Sequence, residues 1–237
     1  MFGLLLALSL TACNSCQAQQ QKEVYTTKEP HRDGIGKVYM GREIADVMGA
    51  SGGAWLERDT RQKEENVSKA IRSMELLPYS VVADIGAGTG YYTFRMAGKV
   101  PEGKVYAVEL QDAFISALKE KKHELGLQNV EVVKGASQAV NLPDNSLDLA
   151  IMVDVYHELE YPQEMLQALH KALKPNGKLL LLEYRAEDPL VPIKELHKMS
   201  VNQVNKELSA NGFELYQQKD FLPMQHFLLY QKAAGNK

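Results

Sequence analysis

The stretch VVADIGAGTGYYT, residues 81–93, joins an apolar run to a helical pattern through a glycine-rich turn. The apolar run is typical of a buried strand. Gly86, Gly88 and Gly90 let the backbone turn sharply and let a ligand approach without Cβ clashes. The start of the following helix offers unpaired N–H groups to an anionic ligand group. We therefore predict a strand–turn–helix unit that binds a ligand at the turn.

Short apolar strands and amphipathic helices alternate along the rest of the chain. The predicted strands after the turn cover residues 104–110, 129–135, 147–154, 177–185, 213–218 and 226–231. Continuous apolar strands that alternate with helices indicate a parallel sheet covered on both faces. We therefore predict one α/β domain over residues 79–233.

The segment before this domain divides into three parts. Residues 1–12 contain an apolar run that is too short to span a bilayer as a helix and is typical of a secretory signal. Residues 13–35 are polar and glutamine-rich, which predicts a flexible tether. Residues 36–78 are predicted to form a helical cap, because apolar residues such as Ile44 and Met48 recur at helical spacing.

The sequence Leu10-Thr11-Ala12-Cys13 resembles the bacterial lipobox, in which the signal is cleaved before a cysteine that carries lipid. This resemblance predicts a lipid anchor at Cys13 and a location at the bacterial cell envelope. No Lys or Arg precedes the apolar run, and the first basic residue is Lys22. A cytoplasmic location is therefore the alternative.

The formal net charge of −3 argues against a nucleic-acid partner, because such proteins usually carry a basic domain or stripe. The two cysteines, Cys13 and Cys16, both precede the predicted domain, which leaves that domain without a thiolate metal cluster or a cysteine nucleophile. Together these features favour a small-molecule substrate.

An acidic residue, Glu109, ends the strand that follows the glycine-rich turn. A carboxylate there can accept hydrogen bonds from both hydroxyls of a ribose, and each such charged bond contributes roughly 1.5–3 kcal/mol. The glycines follow G-x-G-x-G, and Tyr91 occupies the position where a dinucleotide site has its third glycine. The pair therefore favours an adenosyl ligand without a pyrophosphate, and an NAD-dependent oxidoreductase is the weaker alternative.

Four segments together resemble the class I S-adenosylmethionine (SAM)-dependent methyltransferases. VADIGAGTGYYT resembles their motif I and VYAVEL their second motif, while LPDNSLDLAIMVDVYHEL and LKPNGKLLLLEYR resemble the segments around the fourth and fifth strands. The resemblance covers residues 65–231. It implies SAM as cofactor, methyl transfer to a small molecule, and release of S-adenosylhomocysteine (SAH). It also implies a Rossmann-like three-layer α/β/α sandwich whose seven strands have the order 3-2-1-4-5-7-6, with the seventh antiparallel.

The same resemblance assigns residues to the cofactor. Gly86, Gly88 and Gly90 would line the methionine portion, Asp84 would hold its ammonium, and Glu109 would bind the ribose. Many family members have an acid after the third strand, and this chain has small residues there. The other predicted contacts, to adenine or beside the sulfonium, are Leu110, Gln111, Ala136, Ser137 and Asp154.

His157 is the predicted general base, because an imidazole has a suitable pKa and this one follows the fourth strand. Placement of the acceptor can itself suffice for transfer from a sulfonium, so a pocket role for His157 is the alternative. The histidine spacing matches no zinc signature, and we predict no metal site. The leader motivates a further alternative, a non-catalytic SAM-fold binding protein of the cell envelope.

Side chains outside the predicted motifs are candidates for the acceptor site. Those before the first strand would form a lid: Tyr39, Arg42, Glu43, Trp55, Arg58 and Arg61. The alternative is that Trp55 is packed in the core and that the arginines lie on the surface. Those in the C-terminal part would help to define the acceptor pocket: His197, Gln225 and His226.

Overall fold

The computed structural model describes residues 23–234, so the predicted signal, Cys13 and the first part of the predicted tether lie outside the described residues. The described chain begins with a small antiparallel sheet of three strands. These strands are β1 (Tyr25–Thr27), β2 (Gly34–Tyr39) and β3 (Arg42–Ala45).

This small sheet corrects the prediction of a tether to residue 35 followed directly by helix. Met40 and Gly41, between β2 and β3, both have positive φ angles, 48° and 95°, which a tight hairpin turn requires and a helix excludes. Tyr25 on β1 packs its ring 5.4 Å from that of Tyr39 and hydrogen-bonds to Glu164. The apolar spacing that suggested a helix therefore belongs to a hairpin and the loop after it.

Helices follow this sheet, as predicted for the second part of the cap. A 3₁₀ turn (Ala50–Gly52) leads into α1 (Gly53–Leu56), α2 (Arg61–Glu65) and α3 (Val67–Ser73). Asn66, with φ 52°, separates the last two. The apolar face of α3 is buried against the main sheet and its covering helix.

The main sheet has seven strands. They are β4 (Val81–Ile85), β5 (Lys104–Glu109), β6 (Val130–Lys134), β7 (Leu147–Val153), β8 (Leu173–Tyr184), β9 (Phe213–Lys219) and β10 (Gln225–Lys232). Their order is β6-β5-β4-β7-β8-β10-β9. The strands β4 to β8 run parallel, and β10 is antiparallel to both neighbours. This confirms the predicted order and the antiparallel seventh strand.

Helices cover both faces of this sheet. They are α4 (Tyr91–Ala97), α5 (Asp112–Glu124), α6 (Pro162–Ala172) and α7 (Val201–Ser209). Strand β8 shows the two faces directly, because Leu179 and Leu181 pack with α6 and α7 while Leu180 and Leu182 pack with α3 and α4. A strand buried on both faces reads as a continuous apolar run, which explains the LLLL sequence. Among residues 23–234, no helix combines the length and apolar character needed to cross a bilayer.

The fold places a crevice at the carboxyl ends of the parallel strands. The strand order reverses between β4 and β7, and ligands of such sheets bind at this reversal. Gly86 follows β4, Glu109 ends β5, and Asp154 follows β7. Three residues predicted from separate motifs therefore meet at one edge of the sheet.

Candidate functional site

A cavity of about 560 Å³ opens at this edge of the sheet. Its walls come from the glycine-rich turn, from the ends of β5 and β7, and from the N-terminal cap. The predicted site residues that line it are Gly86, Gly88, Glu109, Leu110, Gln111, Ala136, Ser137, Asp154 and His157. Two others, Asp84 and Gly90, do not line it.

The turn after β4 needs glycine for steric reasons. Gly86 and Gly88 have φ angles of 70° and 54°, which L side chains rarely adopt. A Cβ atom on Gly86 would lie 2.7 Å from the side chain of Val155, and one on Gly88 would lie 2.9 Å from Leu56. The N–H groups of Gly86 and its neighbour both donate to the carbonyl of Val108, which fixes the turn to β5.

Glu109 faces this turn from the neighbouring strand. Its Oε2 accepts a 2.8 Å hydrogen bond from the N–H of Gly88, and its Oε1 accepts from the N–H groups of Leu110 and Gln111 at 2.7 and 2.9 Å. The side chain is buried yet lines the cavity. A carboxylate has about four lone-pair sites and these bonds use three, so one acceptor site, on Oε2, is left for a hydroxyl donor of a ligand.

Asp84 does not line the cavity, and its predicted role towards the methionine ammonium stays a prediction. It is buried behind the turn, where Oδ2 accepts a 2.6 Å hydrogen bond from Thr93 on α4. Burial raises the pKa of Asp84 to about 6, against the opposing hydrogen bonds from Thr93. Gly90 precedes α4. A Cβ atom at this position would clash with the side chains of Phe94 and Leu118. Both residues therefore shape the turn from behind.

The residues predicted beside adenine line one part of the cavity. Leu110 and Gln111 follow β5, and Ala136 and Ser137 follow β6. The amide of Gln111 donates to the carbonyl of Met48 at 3.0 Å, which ties the cap to the sheet. No acid lines this part after β6, so an adenine amine would meet backbone or the hydroxyl of Ser137.

Asp154 carries a buried carboxylate oxygen that has no partner among the described residues. Its Oδ2 accepts from the amide of Gln225 at 2.7 Å, while its Oδ1 is the unpaired atom. Burial raises the pKa of Asp154 well above its usual range, and the negative charges of Glu65 and Glu183 raise it further. A positively charged ligand group at this point of the cavity would offset that cost.

The cap contributes a tryptophan and a network of ion pairs. Trp55 lines the cavity and is 39% exposed. The guanidinium of Arg58 stacks 3.7 Å from the Trp55 ring and bonds to Glu65. Arg61 is buried and pairs with the other oxygen of Glu65 at 2.9 Å. The alternative of surface arginines is therefore wrong for Arg61.

The remaining lid candidates lie outside the cavity lining. Arg42 makes two hydrogen bonds to Glu207 on α7, and a third to the carbonyl of His157 at 3.0 Å. Tyr39 and Glu43 are buried in the small sheet, where Glu43 pairs with Lys28. Arg42 therefore fixes the small sheet to the domain.

His157 is buried between two carboxylates. Its Nδ1 lies 2.6 Å from Glu183 Oε2, and its Nε2 lies 3.7 Å from Glu158 Oε1. Burial alone would lower the pKa of His157, but the two carboxylates outweigh it and raise the pKa to about 10. His197 also lines the cavity, with its ring 5.1 Å from that of His157. Neither Gln225 nor His226 lines it; His226 pairs with Glu187 instead.

Glu158 and Glu183 were not among the site residues predicted from the sequence. Glu183 is a fully buried acid within the apolar run of β8, and such a residue is rarely buried without a partner. The sequence carries a signal for Glu183, because this acid directly follows the four leucines of the apolar run. Glu158, next to His157, holds the N–H of Met48 at 3.2 Å and so joins the cap to the site.

Residues 78–228 match a family model described as a methyltransferase domain. The chain belongs to this methyltransferase-domain family. The matched range begins just before β4 and ends within β10, so it contains the glycine-rich turn, Glu109 and Asp154. The predicted family and the predicted fold class are both confirmed.

Relatives of this methyltransferase-domain chain include two curated proteins of quinone metabolism. The chain is 30% identical over 139 residues to the ubiquinone/menaquinone biosynthesis C-methyltransferase UbiE of Pasteurella multocida, covering 57% of this chain and 52% of that protein. It is 28% identical over 116 residues to the demethylmenaquinone methyltransferase of Bacillus mycoides, covering 48% and 49%. The chain thus spans about half the length of the curated relatives it matches.

A solved structure agrees more completely with this methyltransferase-domain chain. The crystal structure of a SAM-dependent methyltransferase from Aquifex aeolicus superposes with a TM-score of 0.73 at 26% sequence identity. The match covers 78% of this chain and 98% of that one. The architecture and its crevice therefore belong to a fold that is known to serve SAM-dependent methyl transfer.

Proposed function

We propose that the chain is a SAM-dependent methyltransferase that acts on a small, largely apolar acceptor. The observation that carries this proposal is the position of Glu109, whose carboxylate bonds to the N–H of Gly88 and lines the cavity where the strand order reverses. A glycine turn too tight for a side chain and a carboxylate on the adjoining strand match the two ends of an adenosyl amino acid. The family assignment supports the same reading.

The residues present fit SAM by shape and by charge. Gly86 and Gly88 present backbone to the cavity that they line, and the methionine portion would lie against it. The remaining acceptor site of Glu109 would take a hydrogen bond from a ribose hydroxyl. The unpaired Oδ1 of Asp154 would face the cationic part of the cofactor. When bound, SAM supplies an electrophilic methyl group on a sulfonium.

The chain's own contribution is to bind, orient and exclude water. Holding two reactants in line can lower a barrier by about 7–11 kcal/mol, so placement alone is a sufficient device. We assign Gly90 and Asp84 to shaping the turn and His157 to the acceptor side of the cavity, where Glu183 fixes its ring. Leu110, Gln111, Ala136 and Ser137 stay the proposed surroundings of adenine.

The acceptor is proposed from the lining and from the relatives. Trp55, Leu159, Met165 and Ile193 give the cavity a mainly apolar wall outside the predicted cofactor contacts. The names of these two relatives point to quinone precursors, which are apolar ring compounds. A small apolar molecule with a ring therefore fits this wall better than a polar metabolite would.

Trp55 offers a direct test of cofactor binding. It is the only tryptophan of the sequence, and it lines the cavity. We expect a saturable change in its emission on titration of the full chain with SAH, at one SAH per chain, and none with NAD⁺. A Trp55→Phe variant should lose the signal but retain the heat of binding in calorimetry.

Three outcomes would contradict the proposal. If neither SAM nor SAH produced an emission change or a heat of binding, the chain would not bind the proposed cofactor. A saturable response to NAD⁺ instead would favour the dehydrogenase alternative. Binding without SAH production from SAM, in the presence of a panel of quinol-like acceptors, would leave the non-catalytic alternative.

We also propose a lipid anchor at Cys13, which would place the chain at a bacterial cell envelope. The support is the lipobox-like sequence Leu10-Thr11-Ala12-Cys13 after an apolar run. The expected result is that Cys13→Ala moves the protein from the membrane fraction to the soluble fraction of the producing cells. A Cys16→Ala variant is the matched control and should stay with the membranes. Fractionation that is the same for both variants would reject the anchor.

A further inference from the structure

Three side chains with metal-binding atoms meet on the wall of the cavity. They are His157 and Glu158, from the 3₁₀ turn Tyr156–Glu158, and His197, from the 3₁₀ turn Glu195–His197. Glu158 Oε1 lies 3.7 Å from His157 Nε2 and 3.4 Å from His197 Nδ1. The three ligand atoms lie within 4.8 Å of one another. None of the three is an exposed side chain, since their exposed fractions are 2%, 14% and 17%.

Neighbouring residues orient these three side chains so that their metal-binding atoms face one another. Glu183, which is fully buried, lies against Nδ1 of His157, so Nε2 is the nitrogen that faces the cluster. A buried carboxylate on the remote nitrogen of an imidazole is the usual support of a metal-binding histidine. The N–H of Met48 donates to Glu158 Oε1, and Arg42 holds the carbonyl of His157. The turn that carries two of the ligands is therefore fixed from three directions.

We propose that His157 Nε2, Glu158 Oε1 and His197 Nδ1 form a binding site for a divalent transition-metal ion of the Zn²⁺ type. Two imidazoles and one carboxylate are the ligand set that such ions take in sites with an open position. The hard cations Mg²⁺ and Ca²⁺ prefer oxygen ligands alone and fit this set poorly. The open position would face the cavity, because all three ligands line it.

The distances suit this ion. Bonds of about 2.0–2.2 Å to nitrogen and oxygen put the ligands of a tetrahedral ion about 3.3 Å apart. Two of the separations, 3.4 and 3.7 Å, are close to that value, and the two imidazole nitrogens lie within 4.8 Å of each other. Metal binding would displace the proton from Nε2 of His157, since a coordinating imidazole must be neutral.

The sequence does not reveal the site because its ligands do not follow a known spacing. His157 and Glu158 are neighbours, and His197 lies beyond α6 and β8, so only the packing of two short turns brings it close. The proposal does not rest on the proposed methyl transfer. It predicts metal binding whether or not SAM binds.

The test is competition between the protein and a chromophoric chelator for Zn²⁺. Cys13 and Cys16 could bind zinc themselves, so the full chain carries Cys13→Ser and Cys16→Ser throughout. We expect one Zn²⁺ per chain. His197→Ala should weaken that binding by at least about 100-fold, and Glu183→Gln by about 10–100-fold, the range for loss of a supporting partner. His170→Ala is the matched control, because His170 packs against Phe213.

Substitution of Co²⁺ gives a second readout. In the parent protein, bound Co²⁺ should give a visible absorption band typical of nitrogen and oxygen ligands. This band should vanish in His197→Ala. The proposal would be overturned if the parent protein did not remove one equivalent of Zn²⁺ from the chelator. Equal binding by the parent and by His197→Ala, each with unchanged circular dichroism, would also overturn it. SAH binding, measured in parallel through Trp55, reports on the proposed function separately.

Discussion

Replacing Glu109 with alanine is expected to weaken SAH binding by at least about 100-fold. The variant loses the acceptor that we propose for a ribose hydroxyl, and a charged hydrogen bond contributes roughly 1.5–3 kcal/mol. A 100-fold loss corresponds to about 2.7 kcal/mol, so one strong bond accounts for it. Calorimetry with SAH measures the change, and circular dichroism confirms that both proteins are folded.

Glutamine should not rescue this variant. All three of the backbone groups that surround the Glu109 side chain donate hydrogen bonds, from Gly88, Leu110 and Gln111. The amide NH₂ of Glu109→Gln would face one of these donors, so the side chain would rotate or leave a donor unpaired. Glu131→Ala is the matched control, because Glu131 is an exposed acid on β6 paired with Lys104. Retention of SAH affinity within about threefold in Glu109→Ala would contradict the assigned ribose contact.

Replacing Glu207 with alanine is expected to lower the free energy of unfolding by about 3–5 kcal/mol. Glu207 is fully buried on α7 and accepts two hydrogen bonds from Arg42, at 2.9 and 3.0 Å, and one from the hydroxyl of Tyr156 at 2.8 Å. Removal of one partner leaves the buried guanidinium uncompensated, and that loss has this magnitude. For a chain of this length, the melting temperature should fall by roughly 6–20 °C.

The same change should loosen the small N-terminal sheet. Arg42 lies on β3, and its third hydrogen bond holds the carbonyl of His157. Amide hydrogen exchange should therefore rise in β2 and β3 of Glu207→Ala before it rises in the main sheet. Glu214→Ala is the control, since Glu214 is an exposed acid on β9 that bonds to Gln231. A loss below about 1 kcal/mol would show that Arg42 finds another partner or water.

The main sheet could be predicted from the sequence because its signals are local. Each parallel strand is a short apolar run, and the turn after β4 carries glycines where the backbone has positive φ. The order of the strands came from the family resemblance, because apolar runs alone do not say which strands are neighbours. The observed order agrees with it in every position.

The N-terminal sheet could not be predicted because two periodicities compete there. Ile44 and Met48 are four positions apart, as on a helix face, yet Ile44 is a buried strand residue and Met48 lies in the following loop. The hairpin depends on Met40 and Gly41 adopting positive φ. Met is an unusual residue in such a turn, so the sequence carried a weak turn signal.

For the site as well, the sequence predicted the positions of residues along the chain but not their contacts with distant residues. The sequence placed Glu109 and Asp84 at the ends of neighbouring strands, but it could not show that one side chain faces the cavity and the other faces α4. The partners of His157 come from β8 and from the loop after it, many residues away. Only tertiary packing joins them, and the sequence gives no spacing that reports it.

The most direct test of the central claim is a crystal structure of the chain with SAH bound. We expect a ribose hydroxyl to bond to the carboxylate of Glu109, with the amino-acid portion against Gly86 and Gly88 and with Asp154 beside it. SAH bound elsewhere, or Glu109 turned away from the ribose, would contradict the account.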